Sequence, residues 1–140
     1  MTTKVKSDNA ILVAVYGTLK KGQGNNYLLG DDAVLIGSGQ TENKFDMLDF
    51  GGYPGALEYG DKALSVEVWA VNPEHLPRVD QLEGHPSFYK REEEEVKMYE
   101  FEGTLNAWMY RLVDYDYYSA KSGRVRSVDS HGALYWERSR

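Results

Sequence analysis

The stretch Ile11-Leu12-Val13-Ala14-Val15-Tyr16-Gly17 sets the framework of the fold. Its first six residues are apolar and partly β-branched, which is typical of a short buried strand, and Gly17 marks the point where the strand breaks. Residues 18–26 include two more glycines and two asparagines, which favour a loop. Backbone N–H groups that follow such a break can converge on one point and bind a carboxylate or an oxyanion. A plain flexible turn is the alternative interpretation.

The rest of the chain carries further strand and helix signals. Alternation of apolar with polar or small residues predicts strands at 64–71, 88–99 and 104–113, with weaker candidates at 33–39 and 44–50. Turn residues fill 51–55, and Asn25 or Asn26 is predicted to cap a short helix through Leu29. Asn72 and Pro73 predict the start of a longer helix that ends at Gly84. Five or more strands with one or two helices predict an α+β domain built on a strongly curved sheet or small barrel.

Length and composition restrict the class of protein. The 140 residues form one predicted domain, with a core at about 11–112 and a tail at 113–140 that Tyr135 and Trp136 can anchor. The net charge of −6 argues against nucleic acid as a partner. The absence of cysteine excludes disulfides, thiolate zinc sites and thiol nucleophiles, and it fits a cytoplasmic location. The polar N-terminus lacks a signal-peptide pattern, and apolar runs fall short of the roughly 20 residues that cross a membrane.

Glu83 is the candidate acid/base residue. It stands one position before Gly84, at the negative end of the predicted helix, where a carboxylate is unfavourable. Burial in an apolar pocket would raise its pKa further, toward the range that acid/base work near neutrality requires. A solvated glutamate at a helix end is the alternative interpretation.

Two other groups of polar residues give weaker signals. The carboxylates of Glu92–Glu95 would alternate between the two faces of a strand, so we expect a solvated strand face rather than a metal site. His75, His85 and His131 lack the spacing of metal ligands. No Gly-x-Ser-x-Gly motif is present. These observations predict neither a metal nor a cofactor.

Several segments, taken in order, resemble the γ-glutamyl cyclotransferase-like superfamily, which includes γ-glutamylcyclotransferases, γ-glutamylamine cyclotransferases and AIG2-like proteins. The resemblance covers residues 11 to about 112. The segments that carry it are Val15-Tyr16-Gly17-Thr18-Leu19-Lys20-x-Gly22, Asn26-x-x-Leu29, Tyr53-Pro54-Gly55, Val68-Trp69-Ala70-Val71, Asp80-x-Leu82-Glu83-Gly84, Tyr89-x-Arg91 and Ala107-x-x-Tyr110.

The resemblance implies a small mixed β-barrel with flanking helices and a cofactor-independent enzyme. Such an enzyme releases 5-oxoproline and an amine or amino acid from a small γ-glutamyl substrate, because the substrate's α-amine attacks its own γ-carbonyl. By the same resemblance, Glu83 is the general acid/base, and the backbone of Gly17, Thr18 and Leu19 binds the substrate's α-carboxylate or the oxyanion. The further substrate-binding candidates, as residues of the pocket wall or as hydrogen-bonding residues, are Tyr16, Tyr53, Tyr89 and Tyr110, and Tyr110 is the first choice among them.

Three other functions stay open. A binding or sensor protein on the same fold would hold a γ-glutamyl or other amino-acid ligand without turning it over. An interaction module would use Glu92–Glu95 as its contact surface. A related cyclotransferase would act on the γ-glutamyl group of a larger molecule. The tail matches the superfamily only faintly, so the leaving group, like the oligomeric state, is left open.

Overall fold

A computed structural model describes residues 9–114 and 123–137 of the chain. Within these two ranges the chain forms eight strands and one α-helix. The strands are β1 (Ile11–Val15), β2 (Val34–Thr41), β3 (Phe45–Asp49), β4 (Pro54–Lys62), β5 (Ser65–Val71), β6 (Tyr89–Met98), β7 (Thr104–Leu112) and β8 (Gly123–Arg124), and the helix is α1 (Leu76–Glu83). Short 3-10 helices, Asn26–Leu29 and Pro73–His75, lie before β2 and α1. No helix within the described ranges has the length and apolar character needed to cross a bilayer.

Five of the strands close into a barrel in the order β1-β5-β2-β6-β7. Four neighbouring pairs are antiparallel, and the barrel closes where β7 runs parallel to β1 at Val13 and Trp108. A second sheet of three strands has the order β4-β3-β8. The predicted α+β class with a small mixed barrel and flanking helix is therefore confirmed.

Strand β4 was not predicted from the sequence. Residues 51–55 are rich in turn residues, yet Pro54 and Gly55 already belong to the strand. Proline is tolerated at the first residue of a strand, because that N–H is not needed for the ladder. Gly55 is needed for close packing, since a Cβ atom there would lie 2.4 Å from the Leu112 Cδ1 atom. The residues that resemble a turn signal thus serve strand packing.

The helix that carries Glu83 begins and ends as predicted. The Asn72 side chain accepts a hydrogen bond from the Glu74 N–H group, and the 3-10 turn at Pro73 leads directly into α1. Gly84 adopts a left-handed conformation with φ of 65°, and its N–H group bonds to carbonyl groups of the last turn. The side-chain cap predicted for the short 26–29 helix was wrong, since the Asn25 amide donates to the Thr18 hydroxyl instead.

The C-terminal segment packs into the core. Trp136 is 1% exposed and belongs to the cluster that also contains Ala14, Val66 and Met109. The Lys20 ammonium donates to the Trp136 carbonyl at 2.8 Å. The same ammonium lies 3.8 Å from the centroid of the Tyr135 ring. Part of the tail is therefore an integral piece of the domain, tied to the residue that directly follows the predicted anion-binding loop.

The acidic strand differs from expectation at one position. Glu94 is only 5% exposed and pairs with the Lys44 ammonium at 3.1 Å, so the prediction of a solvated face was wrong there. Glu92 lies 3.4 Å from the Arg111 guanidinium. Glu93 and Glu95 are exposed, as alternation on a strand requires. Glu94 is therefore withdrawn from the acidic surface of β6, and Glu93 and Glu95 remain on it.

The hydroxyl group of Tyr16 joins three strands. Tyr16 directly follows β1 and is 6% exposed. Its hydroxyl donates to the Tyr110 carbonyl of β7 at 2.6 Å and accepts from the Ala56 N–H group of β4 at 2.9 Å. The bridge links the barrel to the second sheet through one side chain.

Tyr16→Phe should lower the free energy of unfolding by about 1–3 kcal/mol, because it leaves a buried backbone carbonyl and a buried N–H group without a partner. Urea denaturation of the native and variant proteins measures the difference. Tyr27→Phe is the matched control, since Tyr27 is 66% exposed. Equal stability of the two variants would show that the bridge contributes nothing.

Candidate active site

A cavity of about 310 Å³ lies where β1 ends, between the start of β4, the end of α1 and strands β6 and β7. Every site residue predicted from the sequence lines it. These residues are Tyr16, Gly17, Thr18, Leu19, Tyr53, Glu83, Tyr89 and Tyr110. The fold thus brings together in one place residues that are up to 94 positions apart in the chain.

Glu83 is the last residue of α1 and is half-buried. Burial raises the pKa of its carboxyl group to about 7. Within the described ranges no group donates a hydrogen bond to this carboxylate, so nothing compensates for the loss of solvation. A carboxyl group with this pKa exchanges protons readily near neutral pH.

The loop that follows β1 lines the cavity with Gly17, Thr18 and Leu19. The carbonyl oxygens of Gly17, Thr18 and Leu19 each accept a hydrogen bond, from the Lys20 N–H, the Asn25 N–H and the Asn26 side-chain amide respectively. The N–H groups of the same three residues find no acceptor within the described ranges. Consecutive N–H groups without acceptors are the kind of group from which concave anion sites are built.

Gly17 is required by the packing of this loop. A Cβ atom at position 17 would lie 2.6 Å from the Cδ atom of Pro54, which itself lines the cavity. The absence of a side chain therefore lets the loop approach β4 closely. The sequence signal of a strand ending at glycine has a physical cause here, in addition to the bend itself.

The four tyrosines of the cavity differ in what their hydroxyl groups can do. The Tyr16 hydroxyl is occupied by its two backbone partners, so this residue contributes its ring to the wall. The Tyr89 hydroxyl donates to the Pro54 carbonyl at 2.6 Å, and the Tyr110 hydroxyl donates to the Asp80 carboxylate. Tyr53 is 42% exposed and packs with its ring 5.0 Å from that of Phe50. We therefore assign Tyr16 and Tyr53 to the wall of the cavity.

Sequence reasoning missed several residues of the site. Asn25 lines the cavity and holds Thr18 in place through its side chain. Leu82 and Phe88 add apolar surface. The Asp80 carboxylate contacts both the Tyr110 hydroxyl and the Arg91 guanidinium. The sequence indicated Asp80 and Arg91 only through the family resemblance. The signal for Asn25 was available in principle, because asparagine side chains in loops form local hydrogen bonds as well as helix caps.

Glu83 is the one charged side chain among the described residues that line the cavity. Within those same ranges no three histidine, aspartate or glutamate side chains lie close enough together to hold a metal ion. The geometry therefore offers one negative group and, on the neighbouring loop, a set of N–H donors. Such a site complements a molecule that carries both an ammonium and a carboxylate group.

Known proteins with similar sequences identify a family for this chain. Residues 13–131 match the family described as gamma-glutamyl cyclotransferase, AIG2-like. A putative gamma-glutamylcyclotransferase of Vibrio cholerae is 36% identical over 99 residues, which are 71% of this chain and 79% of that protein. Gamma-glutamylaminecyclotransferase of Rattus norvegicus is 34% identical over 99 residues, 65% of this chain and 66% of that protein.

The solved structures give the same result. The crystal structure of an AIG2-like protein from Mus musculus superposes with a TM-score of 0.73 at 26% sequence identity, covering 94% of this chain and 99% of that one. A structure described as a gamma-glutamyl cyclotransferase shares the fold at 18% identity, with a TM-score of 0.62 over 75% of this chain and 68% of that one. On the extent of the family match and the identity to relatives of similar length, the chain belongs to the gamma-glutamyl cyclotransferase, AIG2-like family.

Proposed function

We propose that this protein is a γ-glutamyl cyclotransferase that releases 5-oxoproline and an amine or amino acid from a γ-glutamyl substrate, with Glu83 as the general acid/base. The observation that carries the proposal is the pairing of two features in one cavity. One is a half-buried carboxyl group with a pKa near 7, and the other is the row of N–H groups on residues 17–19. Membership of the family supports it.

The N–H groups of Gly17, Thr18 and Leu19 bind the anionic end of the substrate. In the bound substrate this is the α-carboxylate, for which backbone donors at a strand break are well suited. The Glu83 carboxylate attracts the α-ammonium group of the same amino-acid head. With both ends of the head held, the γ-carbonyl carbon is brought near the α-nitrogen, so that ring closure becomes an intramolecular reaction between oriented groups. Effective molarities for such reactions reach about 10⁵–10⁸ M.

Proton transfer then follows from the pKa of Glu83. The carboxylate takes a proton from the α-ammonium group, and the freed amine attacks the γ-carbonyl carbon to form the ring C–N bond. The tetrahedral intermediate collapses as the bond to the leaving nitrogen breaks. Over the whole reaction the α-nitrogen loses two protons and the leaving nitrogen gains two. A single carboxyl group near its own pKa can carry them one at a time.

Glu83→Gln should reduce release of 5-oxoproline by about 10²–10⁴-fold, because glutamine keeps the shape of the side chain but neither accepts nor donates the proton. The assay is mass spectrometry of 5-oxoproline from a panel of γ-glutamyl amines, γ-glutamyl dipeptides and glutathione. Glu93→Gln is the matched control, since Glu93 is an exposed glutamate of β6.

Two results of this assay would count against the proposal. Retention of activity in Glu83→Gln would remove Glu83 from the chemistry. Failure of the native protein to release 5-oxoproline from any member of the panel would favour a protein that binds such ligands without turning them over, or a larger γ-glutamyl substrate.

Glu83→Gln should also stabilise the protein at high pH. Below about pH 4.5 the carboxyl group is protonated in both the folded and the unfolded chain, so native and variant proteins should differ little. Between pH 4.5 and about 7 the unfolded chain releases a proton that the folded chain keeps, and the native protein loses stability relative to the variant. Above this window the variant should be more stable by about 1–3 kcal/mol.

Urea denaturation at about pH 4 and pH 8 measures this difference without any substrate. Glu93→Gln again serves as the control and should show no gain that depends on pH. A variant that gains no stability at pH 8 would show that the folded protein does not hold the pKa of Glu83 above that of the unfolded chain.

A further inference from the structure

We propose that Asp80, fixed in place by Arg91, is a positioning residue that turns the Tyr110 hydroxyl into a hydrogen-bond acceptor for the α-ammonium group of the substrate. The inference rests on the proposed function, because it takes the ligand to be an amino-acid head with a free ammonium group. It adds a role for two residues that do not line the cavity.

The position of Asp80 is fixed by a two-point contact. The Arg91 Nε and Nη2 atoms donate to the two carboxylate oxygens at 2.9 and 3.1 Å. Arg91 is held in turn on β6, where its guanidinium group lies 5.2 Å from the centroid of the Trp108 ring. Although burial opposes it, hydrogen bonds from Arg91 and Tyr110 lower the pKa of Asp80. Asp80 is therefore a carboxylate throughout the range in which Glu83 titrates.

This fixed carboxylate sets the direction of the Tyr110 hydroxyl. A phenol has one proton to donate, and that of Tyr110 is directed at the Asp80 Oδ1 atom at 2.5 Å. Burial and the bond to Asp80 together raise the pKa of Tyr110, so the hydroxyl stays protonated. The proton of this hydroxyl is committed to Asp80, and the Arg91 guanidinium also faces the oxygen, so what the oxygen can offer a ligand in the cavity is a lone pair. An ammonium group, which has three donors and no acceptor, is the partner that such an oxygen fits.

The charges around Tyr110 favour the same ligand. The negative charge of Glu83 acts on the Tyr110 hydroxyl and on that of Tyr16. Asp80 and Arg91 form an ion pair beside this hydroxyl, His85 packs its ring 6.4 Å from that of Tyr110, and an ionised Glu83 adds a negative charge. An ammonium group placed between Glu83 and Tyr110 would be attracted by the carboxylate and oriented by the phenol oxygen. Orientation of the α-nitrogen matters, because its lone pair must point at the γ-carbonyl carbon once the proton has left.

A double-mutant cycle tests the coupling. The four proteins are the native chain, Asp80→Asn, Tyr110→Phe and the double variant, and the readouts are the dissociation constant of L-glutamate by calorimetry and kcat/KM for release of 5-oxoproline. The Asp80 Oδ1 atom accepts from both the Arg91 Nε atom and the Tyr110 hydroxyl, and Oδ2 accepts from Arg91 Nη2. Asp80→Asn removes the charge and replaces one of these oxygens with an N–H₂ group, so the arrangement that directs the Tyr110 proton is broken. Each single variant should weaken binding of L-glutamate by about 10- to 100-fold. The double variant should lose no more affinity than the single variant with the larger loss.

The outcomes separate the inference from the proposed function. Losses that add in the double variant would overturn the inference, because Asp80 would then act independently of the Tyr110 hydroxyl, as a purely structural residue does. Failure of the native protein to bind L-glutamate would overturn it as well. The two losses of binding can prove non-additive in a protein that releases no 5-oxoproline. That result would uphold the inference and reject the proposed reaction. If Asp80→Asn does not fold, Arg91→Lys replaces it, and its loss of binding should disappear in the Tyr110→Phe background.

Discussion

The two hydrogen bonds of the Tyr16 hydroxyl are the constraint on which the site depends. One fixes the distance between the end of β1 and β7, and the other fixes the distance between β1 and β4. These three strands carry the loop of residues 17–19, Tyr110 and Pro54, all of which line the cavity. Hydrogen bonds are strengthened in the low dielectric of a protein interior, so a buried hydroxyl that both donates and accepts ties its neighbours together. One side chain thus links three parts of the cavity wall.

The candidate site keeps two kinds of polar group in surroundings that are unfavourable for them, the Glu83 carboxyl group and the N–H groups of residues 17–19. Half-burial raises the pKa of Glu83 to about 7. Among residues 9–114 and 123–137, the N–H groups of residues 17–19 have no acceptor. Each of these features disfavours the empty folded chain, since buried polar groups are normally paired. A ligand that carries an ammonium and a carboxylate group, as the proposed function requires, would satisfy both. Sites that bind or transform a ligand are where unsatisfied groups of this kind are expected.

The sequence predicted most of the barrel because alternation along a strand records burial directly, as in β5 and β7. It failed where the reason for a residue lay elsewhere in the chain. Gly55 belongs to a strand because Leu112 lies over it, and Glu94 is buried because Lys44 reaches it. The candidate site could be named from local signals, the strand break at Gly17 and the helix end at Glu83. The contribution of Asp80 could not, since it depends on a contact with Tyr110 across thirty positions.

The contact between Lys20 and Trp136 has a consequence for how the protein is made. Lys20 is 4% exposed and its ammonium group bonds to a carbonyl 116 positions further along the chain. During synthesis, residues 17–20 leave the ribosome long before the segment that carries Trp136. Until that segment docks, Lys20 keeps water as its partner. Because contacts between distant parts of a chain are slow to form, the burial of Lys20 belongs, with the β1–β7 pairing that closes the barrel, to the late steps of folding.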